Sequence, residues 1–173
     1  MKSFEKSIFI PLRIALLTVS DTADEKSRAS AQYLADELQA QGHLLADTVL
    51  IDENIYQIRA VVSNWIVDSG IQVILIIGGT GIAVANNTPD AIQVLFDKEI
   101  TGFGELFRQL SYKQIGTSIL QSCAAAGLAN HTLIASMPRS INACEIAWNG
   151  ILQSQLDSRV GSCNFVSHIQ AQS

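Results

Sequence analysis

The chain has 173 residues, of which 48% are hydrophobic and 16% are charged, and its formal net charge is −5. This composition excludes an intrinsically disordered chain, since such chains are poor in apolar residues. The negative charge argues against a nucleic-acid partner, because proteins that bind the phosphate backbone usually present a basic surface. The length predicts one compact domain, and the low fraction of charged residues favours contacts between subunits.

The cysteines and the apolar segments bear on the cellular compartment. Cys123, Cys144 and Cys163 contain no CxxC spacing, and the three histidines are scattered, so neither a disulfide framework nor a zinc site is expected. No apolar run approaches the roughly 20 residues that a membrane span requires, and the N-terminal apolar patch is too short for a signal peptide. We therefore expect a cytoplasmic protein with no membrane partner.

Hydrophobic periodicity predicts alternating strands and helices in the first half of the chain. Short unbroken apolar runs are typical of buried strands, and apolar residues at spacings of three and four are typical of helices. In chain order these elements are a strand Arg13–Val19, a polar loop Thr22–Arg28, a helix Ser30–Gln41, a strand Leu44–Ile51, a helix Ile55–Val67 and a strand Gln72–Ile77. This order predicts a parallel sheet with right-handed crossovers.

The second half of the chain gives weaker patterns. Its predicted elements are a short helix Ala91–Phe96, a helix Gly102–Leu110, an ambiguous segment Ser118–Ala129, a strand Thr132–Ser136 and a final helix Asn142–Leu156. We predict an N-terminal extension over residues 1–12, an α/β domain over residues 13–160 and a polar tail over residues 161–173. That tail is either loose or an arm on a neighbouring subunit.

A glycine-rich turn follows the central strand. Gly78, Gly79 and Gly81 flank Thr80 directly after an unbroken apolar run, which is typical of a strand covered on both faces. Glycine allows positive φ and lets a ligand approach the backbone N–H groups closely. Thr88, Pro89 and Asp90 then form a helix N-terminus signature. The turn is either a tight connection or a cradle for a phosphate group, and spacing alone leaves both alternatives open.

Polar residues follow the other predicted strands as well. The carboxyl ends of parallel strands share one edge of a sheet, where ligands bind in open α/β folds. The residues in question are Ser20 and Asp21, Asp52 and Glu53, and Pro138, Arg139 and Ser140. Each alone also fits a cap or a turn, and Glu105 fits an ordinary helix entry. Together they predict a ligand site.

Five segments resemble, in order and spacing, the MoaB/Mog family of molybdenum cofactor biosynthesis proteins, with the likeness closer to MoaB. The segments are TVSD (Thr18–Asp21), IIGGTGI…NNTPDA (Ile76–Ala91), GFGELFR (Gly102–Arg108), IGTSILQS (Ile115–Ser122) and MPRS (Met137–Ser140). The resemblance implies a three-layer α/β sandwich with a mostly parallel central sheet. It also implies a homo-oligomer, either trimer or hexamer.

The resemblance further implies a ligand and a reaction. Molybdopterin would be the ligand, and Mg²⁺ and ATP would be co-substrates for its adenylylation, with no permanently bound cofactor. Asp52 would be a catalytic acid and a Mg²⁺ ligand. The substrate-binding residues implied are Ser20, Asp21, Gly78, Gly79, Thr80, Gly81, Thr88, Pro89, Asp90, Glu105, Ser122, Pro138 and Ser140.

The chain departs from the family pattern within this site. Asn86 stands where the family usually has a catalytic aspartate, so a carboxylate is replaced by a neutral amide. Arg28, Cys123 and Arg139 replace an aspartate, an arginine and a glycine of the pattern, and Asn142 stands where the family has a lysine or another polar residue. Two further hypotheses therefore stand beside the enzyme: a non-catalytic pterin-binding or scaffold member, and a generic flavodoxin-like domain.

Overall fold

The computed structural model describes residues 8–22, 25–161 and 163–169. Six strands lie between helices: β1 (Arg13–Val19), β2 (Leu44–Ile51), β3 (Val73–Ile77), β4 (Lys98–Glu99), β5 (Ala125–Ala129) and β6 (Thr132–Met137). The longer helices are α1 (Glu25–Gln41), α2 (Ile55–Val67) and α4 (Thr101–Ile115), and α3 (Thr88–Gln93) is short. A 3₁₀ turn (Gly116–Gln121) follows α4. Helix α5 (Ile141–Ala147) continues through a π-helical turn (Trp148–Leu152) into α6 (Gln153–Gln155), and α7 (Val166–Ile169) ends the described chain.

The strands form one sheet in the order β2-β1-β3-β6-β5-β4. Strands β2, β1, β3 and β6 are parallel, whereas β5 and β4 are antiparallel additions at one edge. The carboxyl ends of the four parallel strands consequently share one edge of the sheet. The predicted mostly parallel α/β sandwich is confirmed.

Both faces of the sheet are covered by helices, as the uninterrupted apolar run of β3 predicts. Val73, Leu75 and Ile77 face a core that includes residues of α1, α4 and α5. Ile74 and Ile76 face a second core that includes residues of α2 and α3. All five side chains of β3 are buried, so β3 lies at the centre of a three-layer molecule.

Several elements differ from the sequence prediction. The predicted polar loop over Thr22–Arg28 is wrong at its end, because α1 already begins at Glu25 and buries Ser27, whose polarity hides it from a hydrophobic pattern. Helix α3 begins at Thr88 rather than at Ala91, and α4 extends to Ile115. Strand β4, with two exposed residues, was not predicted.

The ambiguous segment Ser118–Ala129 divides into the 3₁₀ turn and β5. Its small residues have little intrinsic strand preference, so pairing with β6 decides the structure. Asn130 and His131 connect the two strands with φ of 46° and 61°, as a tight hairpin turn requires. The final predicted helix is likewise interrupted by the π-helical turn.

The two ends of the chain pack on the domain where they are described. Leu12 is fully buried, and Val166 and Ile169 belong to the core of α1, α4 and α5. Residues 1–7, 162 and 170–173 lie outside the described residues. Among the described helices, none is both long and apolar enough to cross a membrane.

Candidate functional site

The glycine turn after β3 requires backbone conformations that side chains disfavour. Gly78 and Gly79 have φ of 102° and 65°, in the region where glycine is strongly preferred. A Cβ atom on Gly78 would overlap the carbonyl oxygen of Val19. The Gly78 N–H donates to the carbonyl of Met137 at 2.9 Å, which attaches the turn to β6.

The chain after the turn folds back onto it through Thr88. The Thr88 hydroxyl donates to the Gly78 carbonyl at 2.9 Å, and the Thr88 N–H donates to the Gly79 carbonyl at 3.0 Å. Thr88 is fully buried and Pro89 is buried beside it, whereas Asp90 is exposed. The structure therefore places Thr88 and Pro89 as supports of the turn rather than as groups open to a ligand.

Asn86 and Cys123 hold the rest of the loop. The Asn86 Oδ1 atom accepts a hydrogen bond from the Gly81 N–H at 3.2 Å. The Cys123 N–H donates to the Thr80 carbonyl at 2.8 Å, which ties the loop to the segment before β5. The amide of Asn86 thus performs a structural task that a carboxylate oxygen would also perform.

A cavity of about 240 Å³ opens beside Thr80 and Gly81. It lies between the glycine turn, the C-terminal part of α4, the 3₁₀ turn and the start of α5, and no charged side chain lines it. Phe107, Ile119 and Ile146 give it apolar walls. Five of the predicted site residues meet there: Thr80, Gly81, Ser122, Pro138 and Ser140.

Ser111 also lines this cavity, although no sequence motif marks it. Its Oγ atom and that of Ser122 are buried without a hydrogen-bond partner among the described residues. The helical spacing could have predicted that Ser111 is buried, because it follows Phe103 and Phe107 on the buried side of α4. A polar residue on the buried face of a helix is an informative exception to the usual apolar pattern.

Ser20, Asp21, Glu53 and Arg139 form a charged cluster at the ends of β1, β2 and β6. The Arg139 guanidinium donates to the Ser20 hydroxyl at 2.9 Å, and the Asp21 carboxylate accepts from the Glu53 N–H at 2.8 Å. Burial raises the pKa of the Glu53 carboxyl, the charge of Asp21 adds to the increase, and Arg139 opposes it. The Arg139 carbonyl accepts a hydrogen bond from the Ser30 hydroxyl at 2.7 Å, which attaches α1 to the chain after β6.

Asp52 and Glu105 do not line the cavity beside the glycine turn. Asp52 is exposed after the edge strand β2, and the side chain of Asn54, rather than that of Asp52, caps α2. Glu105 lines a neighbouring cavity of about 300 Å³ together with Arg108 and Cys123, and Ser122 borders both cavities. The Ser140 hydroxyl accepts from the Ala143 N–H at 3.2 Å and caps α5.

Over the described parts of the chain, no group of three or more histidine, cysteine, aspartate or glutamate side chains could hold a metal ion. A resident metal centre does not fit these residues. Mg²⁺ typically binds through one or two carboxylates together with substrate phosphates, so the carboxylates of Asp21 and Glu53 fit at most a Mg²⁺ that enters with a nucleotide.

Comparisons with known proteins agree with this architecture. The family described as "Probable molybdopterin binding domain" matches residues 15–158. The chain is 51% identical to molybdenum cofactor biosynthesis protein B of Escherichia coli K12 over 162 residues, which cover 94% of this chain and 95% of that protein. It is 40% identical to the protein of the same name from Staphylococcus aureus strain COL, over 84% of this chain and 88% of that one.

Solved structures give the same result. A crystal structure of molybdenum cofactor biosynthesis protein B superimposes with a TM-score of 0.81 at 34% identity, and covers 85% of this chain and 92% of that one. The resemblance inferred from the five sequence segments is thereby confirmed. On the strength of the matched domain, the identities and the shared fold, this chain belongs to the family of molybdenum cofactor biosynthesis protein B, MoaB.

Proposed function

We propose that this protein binds molybdopterin in the cavity beside the glycine turn, as one step of molybdenum cofactor biosynthesis. The observation that carries the proposal is the cavity itself, which brings five separately predicted residues to one place between apolar walls. Small-molecule sites are mostly apolar and contain a few placed polar groups. A flat heterocycle fits such walls, and the Ser122 hydroxyl supplies a polar group.

The glycine turn supports a place for the anionic part of the ligand. The N–H groups of Gly79 and Thr80 have no hydrogen-bond acceptor among the described residues. Successive backbone N–H groups in such turns form anion-binding concavities. A phosphate group would therefore lie at the turn, while the ring system occupies the uncharged cavity.

Filling the cavity tests the proposal. Ala143 is buried and lines the cavity, so Ala143→Leu is expected to weaken molybdopterin binding at least tenfold. Ala60→Leu makes the same change on the exposed surface of α2 and should leave binding unchanged. Binding is measured by titration under anaerobic conditions, with thermal unfolding to verify that both variants fold. Absence of molybdopterin binding by the wild-type protein would overturn the proposal.

Adenylyl transfer is a second candidate, favoured by the charged cluster next to the turn. In that reaction a phosphate oxygen of molybdopterin attacks the α-phosphorus of ATP, and pyrophosphate leaves. Asp21 and Glu53 would lie near the metal of Mg-ATP, and the backbone N–H groups would stabilise the developing charge. A pterin-binding member without transfer is the alternative, favoured by Asn86 at the position of the family aspartate.

Substitution at position 86 separates these two candidates. Asn86→Asp is isosteric and keeps an acceptor for the Gly81 N–H, so the loop should remain intact. If the transfer site is otherwise complete, pyrophosphate release from Mg-ATP and molybdopterin should increase in this variant. No release by the wild type or by Asn86→Asp, with molybdopterin binding retained, would favour the non-catalytic member.

Assembly and compartment complete the proposal. We propose a cytoplasmic homo-oligomer, trimer or hexamer, that binds small molecules. Cys123 and Cys144 form no disulfide within the described chain, which fits a reducing compartment. Large apolar side chains are exposed, including Val84 at 98% and Leu120 at 75%, as is typical of surfaces that a second copy covers. Native mass spectrometry tests the assembly, and a monomer at micromolar concentration would contradict it.

A further inference from the structure

Two unpartnered hydroxyls lie around one cavity. Of the five buried side-chain nitrogen and oxygen atoms that lack a hydrogen-bond partner among the described residues, two belong to Ser111 and Ser122, which both line the cavity beside the glycine turn. An unpaired buried hydroxyl destabilises a protein, because it has lost its hydration without gaining a hydrogen bond. Ser122 lies in a segment that resembles the family, whereas nothing described so far gives Ser111 a role.

Helix geometry places Ser111 in the wall of the cavity. Phe107, Ser111 and Ile115 follow one another at spacings of four along α4, and all three line the cavity. Residues four apart lie on the same face of a helix. Ser111 is only 2% exposed, so bulk water does not satisfy its hydroxyl.

The Ser111 hydroxyl also lacks the backbone partner that a serine within a helix commonly has. A serine within a helix commonly donates to the carbonyl four residues earlier, yet the Ser111 Oγ atom forms no hydrogen bond within the described chain. Its proton and its lone pairs are both available. A hydroxyl can act as donor and acceptor, which suits the edge of a pterin ring, where N–H groups and acceptor atoms alternate.

We propose that Ser111 is a ligand-contacting residue whose hydroxyl forms a hydrogen bond with the polar edge of the pterin ring. This inference rests on the proposed binding of molybdopterin. The cavity, at about 240 Å³, is smaller than the roughly 300–1,000 Å³ typical of sites for drug-sized ligands. It therefore fits one ring system rather than a whole nucleotide, and under the proposed function that ring is the pterin.

The experiment compares Ser111→Ala with Ser63→Ala. Ser63 is also a serine within a helix, but it lies in α2, which packs on the other face of the sheet, and it does not line the cavity. Ser111→Ala is expected to weaken molybdopterin binding about five- to tenfold, the loss of one hydrogen bond, and to leave ATP binding unchanged. The ligand-free variant should unfold at the same or a higher temperature, because an unpaired polar group is removed. Ser63→Ala should leave molybdopterin binding unchanged.

Three other outcomes of this experiment would each lead to a different conclusion. Equal molybdopterin affinity of the wild type and Ser111→Ala would overturn the role of Ser111 and leave the proposed function intact. A lower unfolding temperature of Ser111→Ala with unchanged affinity would assign the hydroxyl to the fold instead, and would also overturn the inference. If the wild type binds no molybdopterin, the proposed function fails and this inference fails with it.

Discussion

The two ends of the parallel strands use their polar groups differently. At the amino ends of β1 and β2, the Ser158 hydroxyl donates to the Ile8 carbonyl and accepts from the Ile10 N–H, and the Arg159 guanidinium lies 4.9 Å from the centroid of the Phe9 ring. At the carboxyl ends, the glycine turn and the buried hydroxyls of Ser111 and Ser122 surround a cavity. The first end attaches residues 8–10 to the chain after α6, although the His43 Nε2 atom is buried there without a partner among the described residues. At the second end, the unpartnered hydroxyls lie beside a cavity.

Because of this difference, we expect the two ends to contribute to different properties, one to the stability of the fold and the other to ligand binding. A hydrogen bond that is complete within the chain stabilises the fold, whereas a buried group that lacks a partner destabilises it until a ligand or water pairs with it. Substitutions at the amino ends should therefore change stability alone. Substitutions at the carboxyl ends should change ligand binding, with or without a change in stability.

The largest effect is expected from Gly78→Ala. The new Cβ atom would overlap the Val19 carbonyl oxygen, and the residue would have to keep a φ of 102°. We expect a loss of about 3–5 kcal/mol in the free energy of unfolding, measured by urea denaturation, together with loss of molybdopterin binding. Gly102→Ala, whose Cβ meets no atom within 4 Å, is the control and should be neutral or stabilising. A stable Gly78→Ala variant would show that the turn is adaptable.

At the opposite end of the sheet, His43 should make stability depend on pH. Burial lowers its pKa to about 4, although the charge of Asp157 opposes the decrease, and its Nδ1 atom accepts from the Leu12 N–H. The unfolded chain therefore binds this proton more tightly than the folded one. Stability is fully present above the ordinary histidine pKa of about 6.5 and is lost as the pH falls towards 4.

His43→Asn tests this dependence, since its amide oxygen can still accept the Leu12 N–H. Between pH 7 and pH 4.5, the wild type should lose about 2 kcal/mol more unfolding free energy than the variant. Urea denaturation at both pH values measures the difference. Molybdopterin binding at pH 7 should be the same in both proteins, and a variant that binds less tightly would contradict the separation of the two ends.

A smaller effect is expected from Thr88→Val. Valine keeps the shape of the side chain but removes the hydrogen bond to the Gly78 carbonyl, so the free energy of unfolding should fall by about 1.5 kcal/mol. Thr88→Ser retains the hydroxyl and serves as the control. Because the turn is loosened, molybdopterin binding should weaken only in the valine variant. Equal binding by both variants would show that Thr88 supports the fold without positioning the turn.

The smallest effect is expected from Ser158→Ala, which removes both hydrogen bonds to the N-terminal segment. The free energy of unfolding should fall by about 1 kcal/mol, the usual contribution of such bonds in a half-exposed setting. Molybdopterin affinity should not change. A change in molybdopterin affinity without a change in the free energy of unfolding would contradict the proposed difference between the two ends.

The sequence by itself determined the parallel core of this protein. The runs Arg13–Val19, Leu44–Ile51 and Val73–Ile77 are strands in the structure, and the helix between the last two has the predicted bounds. These elements can be predicted because hydrophobic periodicity depends only on residues that are close together in the sequence. The glycine turn could be predicted as well, since the positive φ angles at Gly78 and Gly79 strongly favour glycine.

Only the tertiary structure decided which residues share the cavity. Asp52 was predicted beside Thr80 and Ser140, but β2 is the edge strand of the sheet, and strand order is not encoded in any local pattern. Ser111 joins the cavity because α4 packs its buried face there, although no motif marks it. Strand β5 likewise depends on its pairing with β6. Contacts between residues distant in sequence arise from packing, which single-chain periodicity does not reveal.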